Sequence, residues 1–312
     1  MTTAFLFPGQ GSQSVGMGKA LAEAFPEARA VFDEIDAALS QKLSALMFEG
    51  PEAELTLTSN AQPALMAVSV AVIRVLEAEA GLDVKRDASF IAGHSLGEYS
   101  ALAAAGAVSL ADTAKLLRIR GDAMQKAVPA GLGAMAALLG AELDQAKAVA
   151  AEAAQGQVCD VANDNGGGQV VVSGHREAVL RAIEIAKTKG IRRAMLLPVS
   201  APFHCALMQP AAEAMRAALA KVNFSPPAAT LIANVTARPE TDPAAIKANL
   251  VAQVTGAVRW RESMQFMAAQ GVTRFVEAGS GKVLAGIARR VVEGASTFSI
   301  GAPEDVAAFK AG

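Results

Sequence analysis

The feature that most constrains the fold is a corner. In "ASFIAGHSLGEYSAL" (88–102) an apolar run closes on Gly93, and an alanine-rich segment of helical character starts directly after Gly97. A strand can become a helix in so few residues only if the backbone doubles back on itself, and glycines flanking the turn relieve the crowding. The turn carries Ser95 at its tip. A buried apolar strand feeding a helix in this way predicts a mostly parallel sheet covered on both faces, the α/β arrangement.

The remaining segments fit such a sheet. Residues 3–7 and "GVTRFVEAG" (271–279) read as further buried strands, and "GSGKVLAGIARR" reads as a glycine turn into a final helix. "SLADTAKLLRIRGDAMQKAV" (109–128) reads as an amphipathic helix with Ser109 and Asp112 at capping-box spacing; Arg120 lies at the edge of its apolar face and Arg118 points to solvent. Between about 133 and 198 the order becomes β-α-β-β-α-β, that of a ferredoxin-like unit. The prediction is therefore an α/β fold in two parts. Residues 1–127 and 199–312 form a large, discontinuous, hydrolase-like domain with a mostly parallel sheet, and 128–198 form an inserted small ferredoxin-like domain.

Composition excludes some functions. The chain has 312 residues, 52% hydrophobic but only 4% aromatic, and its net charge is -2 with no long basic block, which argues against nucleic-acid binding. The stretch "AVPAGLGAMAALLGA" is broken by Pro129, Gly131 and Gly133 and is too short for a membrane span, which needs about 18 apolar residues. The N-terminal "MTTAFLFPGQGSQ" has no basic leader and reads as a first strand. Two cysteines, Cys159 and Cys205, make neither a disulfide framework nor a zinc-site spacing, which points to a reducing, cytoplasmic location.

A serine nucleophile needs a base, and the chain offers three histidines. His94 lies within the turn itself, with its side chain expected to point away from that of Ser95. His175 reads as the start of a helix. His204, in "SAPFH" between a strand end and a helix start, stands where α/β sheets carry their catalytic loops. Cys205 is a rival nucleophile on paper and reads better as a small buried apolar residue. Arg120 admits two readings, a structural salt bridge or a grip on an anionic substrate. Two look-alikes fail: "GQGSQS" lacks the last glycine of a dinucleotide loop, and "GSGKV" lacks the first glycine and the Ser/Thr of a phosphate-binding loop.

Taken in order, "FPGQGSQ", "SNAQPAL", "GHSLGEYSAL", "RG..MQ" at 120–125, "NDNGGGQVVVSG", "SAPFH" and "VEAGSGKVL" resemble the malonyl-CoA:acyl carrier protein transacylases of bacterial fatty-acid synthesis and the related acyltransferase domains of polyketide synthases. The likeness spans essentially the whole chain. It implies a ping-pong transfer in which Ser95 takes the malonyl group and His204 shuttles the proton, oriented by the backbone carbonyl of Gln253. It implies an oxyanion hole from the backbone N–H groups of Gln10 and Leu96, and Arg120 as partner of the free malonyl carboxylate. Phe203 before the histidine resembles the malonyl-type signature, and Asn163, Asn165, Gln169 and Arg193 become candidates to line the CoA site. Lys187, Lys189, Arg192 and Arg193 form the densest basic cluster, suited to an acidic acyl carrier protein. In "NDNGGGQ", relatives more often carry Ser-Pro before the last glycine, and the triple glycine predicts a more flexible loop. No permanently bound cofactor or metal is implied, only malonyl-CoA and CoA as substrate and product. The alternatives left open are a polyketide-type acyltransferase using another extender unit and a serine thioesterase or esterase.

Overall fold

The computed structural model describes residues 2–311, and among these ten strands form two sheets. In chain order they are β1 (Thr3–Phe7), β2 (Phe90–Gly93), β3 (Gly133–Leu139), β4 (Cys159–Gly166), β5 (Gln169–His175), β6 (Arg193–Leu196), β7 (Thr230–Ile232), β8 (Pro239–Glu240), β9 (Arg274–Ala278) and β10 (Ser296–Ile300). The larger sheet runs β10-β9-β1-β2-β7-β8 and is parallel except at the β7–β8 pair.

Side-chain alternation along β1 explains why its run is apolar throughout. Phe5 and Phe7 join the core shared with the helices Thr58–Ala80 and Leu110–Ala127, while Ala4 and Leu6 join Trp260, Met264 and Ile287 on the opposite face. Register brings Phe7 opposite Gly93, so the C-terminal ends of β1 and β2 open together onto the corner at Ser95. The helix Thr58–Ala80 is long and apolar enough to cross a membrane by length and composition, yet 83% of its most apolar window is buried among its neighbours. It is the central helix of the core.

The smaller sheet has order β4-β5-β3-β6, antiparallel throughout, with helices Leu143–Ala154 and Arg176–Thr188, as the β-α-β-β-α-β order predicts. Ala134, Ala136, Leu138, Val170 and Val172 pack with those helices; Met135, Ala137 and Val171 belong to the core of the larger part. Both faces of the small sheet are therefore covered.

Three sequence expectations need correction. The helix Val283–Val291 is not the last element: β10 and the helix Pro303–Ala311 follow it. The strand "STFSI" lies at the sheet edge, mostly half-buried, and so lacks the apolar run that marks an interior strand. The triple glycine makes a tight hairpin instead of a loose loop. Gly167 and Gly168, at φ +59° and +72°, form a two-residue turn between the paired Gly166 and Gln169, and two consecutive left-handed residues match the twist of the flanking strands. Arg118 is half-buried, and its guanidinium donates to Asn60 Oδ1 at 2.9 Å and to Gln41 Oε1.

Candidate active site

Ser95 sits at φ +54°, in the left-handed region that an L side chain adopts only under constraint. A Cβ on Gly93 would lie 1.8 Å from the Gly97 carbonyl oxygen, and one on Gly97 would lie 2.2 Å from that of Phe7. The corner closes only with glycine at both places. Its main chain is pinned from across the sheet: Asn234, just beyond β7, accepts from the Ser95 N–H through Oδ1 at 2.8 Å and donates through Nδ2 to the Gly93 carbonyl at 2.7 Å.

His204, also left-handed at φ +58°, comes from the loop after β6, and its imidazole is buried. Its Nδ1 lies 2.9 Å from the Gln253 carbonyl oxygen and 3.1 Å from that of Gly256. Both oxygens can only accept, so Nδ1 carries the hydrogen and Nε2 offers its lone pair to Ser95 Oγ, 2.8 Å away. Burial first, then the nearby Arg120 guanidinium, push the His204 pKa down to about 3, so the ring is a neutral base.

Arg120 is buried, and no carboxylate pairs with it among the described residues. Its Nη1 donates to Gln62 Oε1 at 2.8 Å, and its Nη2 donates to Gln253 Oε1 at 2.9 Å and to Ser95 Oγ at 3.1 Å. Nε has no partner, and the cation lies 5.8 Å from the Tyr99 ring centroid. Neutral amides thus hold the guanidinium beside the serine with its charge unneutralised by contact. Gln62 continues the chain through Nε2 to Thr58 Oγ1, which donates to Gln10 Oε1. The arginine and the first loop are bonded into one frame.

These groups face a cavity of about 500 Å³ whose wall includes Gln10, Gln62, Leu96, Met124, Met135, Asn163 and Phe203. The main-chain N–H groups of Gln10 and Leu96 donate to no protein group among the described residues. Asn165 stands behind the wall and accepts from His94 Nε2 at 2.9 Å, while the His94 ring packs 5.4 Å from that of Trp260. Gln169 and Arg193 do not line the cavity. Both pair with Leu139 at the far end of β3 from Met135, about 13 Å away at the rise of a strand. His175 precedes the helix Arg176–Thr188 and accepts from the Val158 N–H, as a structural residue does. Cys205 is buried, and burial pushes its thiol up to about 11, away from reactivity. Of the basic cluster, Lys187 pairs with Glu184 and Lys189 with Glu152, while Arg192 and Arg193 are exposed.

A strained serine at a strand-to-helix corner, bonded to a neutral histidine, is the apparatus of acyl transfer to and from a hydroxyl. Residues 4–302 match the acyl transferase domain family. The chain belongs to that family. Among relatives of this acyl transferase, the malonyl CoA-acyl carrier protein transacylase of Escherichia coli K12 is 46% identical over 307 residues, covering 98% of this chain and 97% of its own. The acyl-carrier-protein-S-malonyltransferase of Bartonella henselae superposes with a TM-score of 0.97 at 57% identity, over 99% of this chain and 98% of the other. A malonyl-transacylase solved in complex with a type II PKS acyl-carrier protein gives a TM-score of 0.95 at 41% identity, over 98% of each chain.

In this acyl transferase the sequence reading missed three residues that hold the site together: Gln62, Asn234 and Glu98. Gln62 lies in "SNAQPAL" and Glu98 in "GHSLGEYSAL", both noticed without a role for either residue. Asn234 follows "TLIA", whose three-residue strand is too short for a periodic signal.

Proposed function

We propose that this acyl transferase moves a malonyl group from malonyl-CoA to the phosphopantetheine thiol of an acyl carrier protein through a malonyl ester on Ser95. The observation that carries the reading is the buried Arg120 guanidinium, 3.1 Å from Ser95 Oγ and held only by neutral acceptors. A carboxylate on the acyl group would supply its missing counter-charge, and an acetyl group would leave the cation buried and unpaired. The malonyl-specific names of the relatives and the complex with a carrier protein support the same assignment.

Ser95 Oγ attacks the thioester carbonyl and its proton passes to His204 Nε2. Negative charge gathers on the carbonyl oxygen, where the N–H groups of Gln10 and Leu96 donate to it, each stabilising the intermediate by about 3 kcal/mol. The C–S bond then breaks, the imidazolium returns its proton to the CoA sulfur, and the Gln253 carbonyl holds the ring in one tautomer throughout. The carrier thiol repeats the sequence in reverse, giving its proton to His204 and leaving Ser95 free. Phe203 narrows the acyl pocket and favours malonyl over branched extenders, while Asn163 and Asn165 shape the wall along the thioester arm. Arg192 and Arg193 serve as the open positive patch for the acidic carrier, and Gln169 and Arg193 lie too far from Ser95 to touch the acyl group. This chemistry uses side chains and main-chain amides alone, with no resident cofactor, and suits the cytoplasm, where the CoA thioester is available. Residues 1–127 and 199–312 act as the catalytic part and 128–198 as the insert that closes the cavity.

Intact-protein mass spectrometry after brief exposure to malonyl-CoA tests the reading. One malonyl group on Ser95, discharged by holo carrier protein and absent in Ser95→Ala, is the expected result. Release of free malonate at the rate of transfer would make the protein a hydrolase and overturn it.

A further inference from the structure

Behind Ser95 lies a carboxyl group for which the transfer chemistry has no use. Glu98, in the first turn of the helix Gly97–Ala104, is fully buried. Its Oε2 accepts from the Asn234 N–H at 3.0 Å and from Gln253 Nε2 at 2.8 Å, while Oε1 has no partner. We propose that Glu98 is a positioning residue of the transfer site, one carboxylate oxygen fixing the two residues that in turn align Ser95, His204 and Arg120. The inference rests on the assignment of those three as the transfer machinery.

The geometry gives the reason. Asn234 holds the Ser95 main chain through its side-chain oxygen, and its own N–H is tied to Glu98. Gln253 touches all three working groups: its carbonyl accepts from His204 Nδ1, its Oε1 accepts from Arg120 Nη2, and its Nε2 lies 3.0 Å from the Ser95 carbonyl oxygen. A side-chain amide can rotate; Arg120, a donor only, faces its oxygen, and on the other side Glu98 Oε2 gives Nε2 its shortest bond, at 2.8 Å. Without that acceptor, Nε2 keeps only the Ser95 carbonyl and a longer 3.3 Å contact to Asn234 Oδ1. Burial pushes the Glu98 carboxyl up to about 7, so both protonation states are populated near neutrality. A proton would sit on the unpartnered Oε1, and Oε2 would remain an acceptor in either state. Bonding geometry rather than charge is what the site draws from this residue.

Three substitutions separate the possibilities. Glu98→Gln keeps one oxygen able to accept both bonds, Glu98→Met keeps the volume and removes the acceptor, and Glu98→Asp keeps the charge but withdraws it by one methylene. The rate at which a fluorophosphonate probe labels Ser95 reports the alignment of serine and histidine without any acyl substrate, so it stands even if the acyl group is other than malonyl. Labelling should slow roughly 10-fold or more in Glu98→Met and Glu98→Asp and stay within about 3-fold of the parent in Glu98→Gln, because misplacement by a fraction of an ångström costs rate steeply. In the same variants, malonyl-CoA preference over acetyl-CoA should fall in Glu98→Met and Glu98→Asp and persist in Glu98→Gln. If Glu98→Met does not fold, Glu98→Asp carries the decision alone. Parent-like labelling in Glu98→Asp, or a Glu98→Gln variant slowed as much as Glu98→Asp, would overturn the proposal. Absence of a malonyl adduct in the parent, with this labelling pattern intact, would instead count against the malonyl reading.

Discussion

At the scale of single residues, the site is built on two conflicts with ordinary chemistry. Ser95 and His204 both occupy left-handed backbone, and Arg120 keeps its charge in a buried place without an ion pair. The arginine conflict yields a prediction. Arg120→Ala should lower kcat/KM for malonyl transfer by roughly 100-fold or more and leave acetyl transfer much less affected, because a buried charge-assisted pair is worth about 2–4 kcal/mol. An unchanged acyl preference in competition assays would return Arg120 to a structural role. Histidine yields a second. In the proposed transfer His204 acts as a neutral base, and burial lowers its pKa to about 3, so protonation should remove activity only as pH falls through that value. The rate per folded molecule should therefore show no inflection near the ordinary histidine pKa of about 6.5, and a pH profile of acylation with such a midpoint would contradict the buried, neutral ring. Stability follows the same sign: the unfolded chain binds a proton below about 6.5 that the native imidazole refuses, so this group makes the fold less stable as pH drops from there toward 3.

At the scale of elements, β4 is what joins the small sheet to the site. Asp164 N–H donates to the Val258 carbonyl, the Val258 N–H donates to Ala162, and Asp164 Oδ2 accepts from Arg261 Nε and Nη2 at 2.9 and 2.8 Å. Asn163 and Asn165, which alternate with Asp164, are carried to the cavity wall and to His94 by this seam. Arg261→Ala leaves the buried Asp164 carboxylate with only the Gly166 N–H, at 3.3 Å, and should cost about 2 kcal/mol in urea unfolding while raising KM for malonyl-CoA more than it lowers kcat. Unchanged unfolding would mean the pair is solvated rather than a clasp. Legibility from sequence differs sharply among such elements. The amphipathic helix Leu110–Ala127 was plain from its Ser109 cap and its periodicity, whereas β7 and β10 were not, because a three-residue strand and a half-buried edge strand carry no run or alternation strong enough to read. The resemblance makes Gln169 and Arg193 candidates for the CoA site, and the register of β3 places both opposite Leu139, at the end away from Met135 and the cavity.

At the scale of the whole molecule, the insert and the larger part share a core. Met135, Ala137, Ala162 and Val171 of the small sheet pack with residues of the larger part, so the second apolar face of that sheet depends on its host. The chain should accordingly unfold in one cooperative transition, with calorimetric and van't Hoff enthalpies in agreement, and a fragment of 128–198 alone should bind a hydrophobic dye and lack a sharp transition. Two separated transitions would show that the insert stands by itself. The sequence alone determined the apolar runs, the helix cap and the glycine pair at the corner, because each depends on residues within about ten positions of one another, and it determined the order of the motifs, because that order is the chain itself. Only the tertiary structure decided that Ser95, Arg120 and His204 share one cavity with Gln253 bonded behind them, that Arg120 meets amides and no carboxylate, and that Asn234 and Glu98 brace the corner. Those contacts join positions 25 to 158 residues apart, and a hydrogen bond at such a separation leaves no periodicity or spacing in the chain from which it could be read.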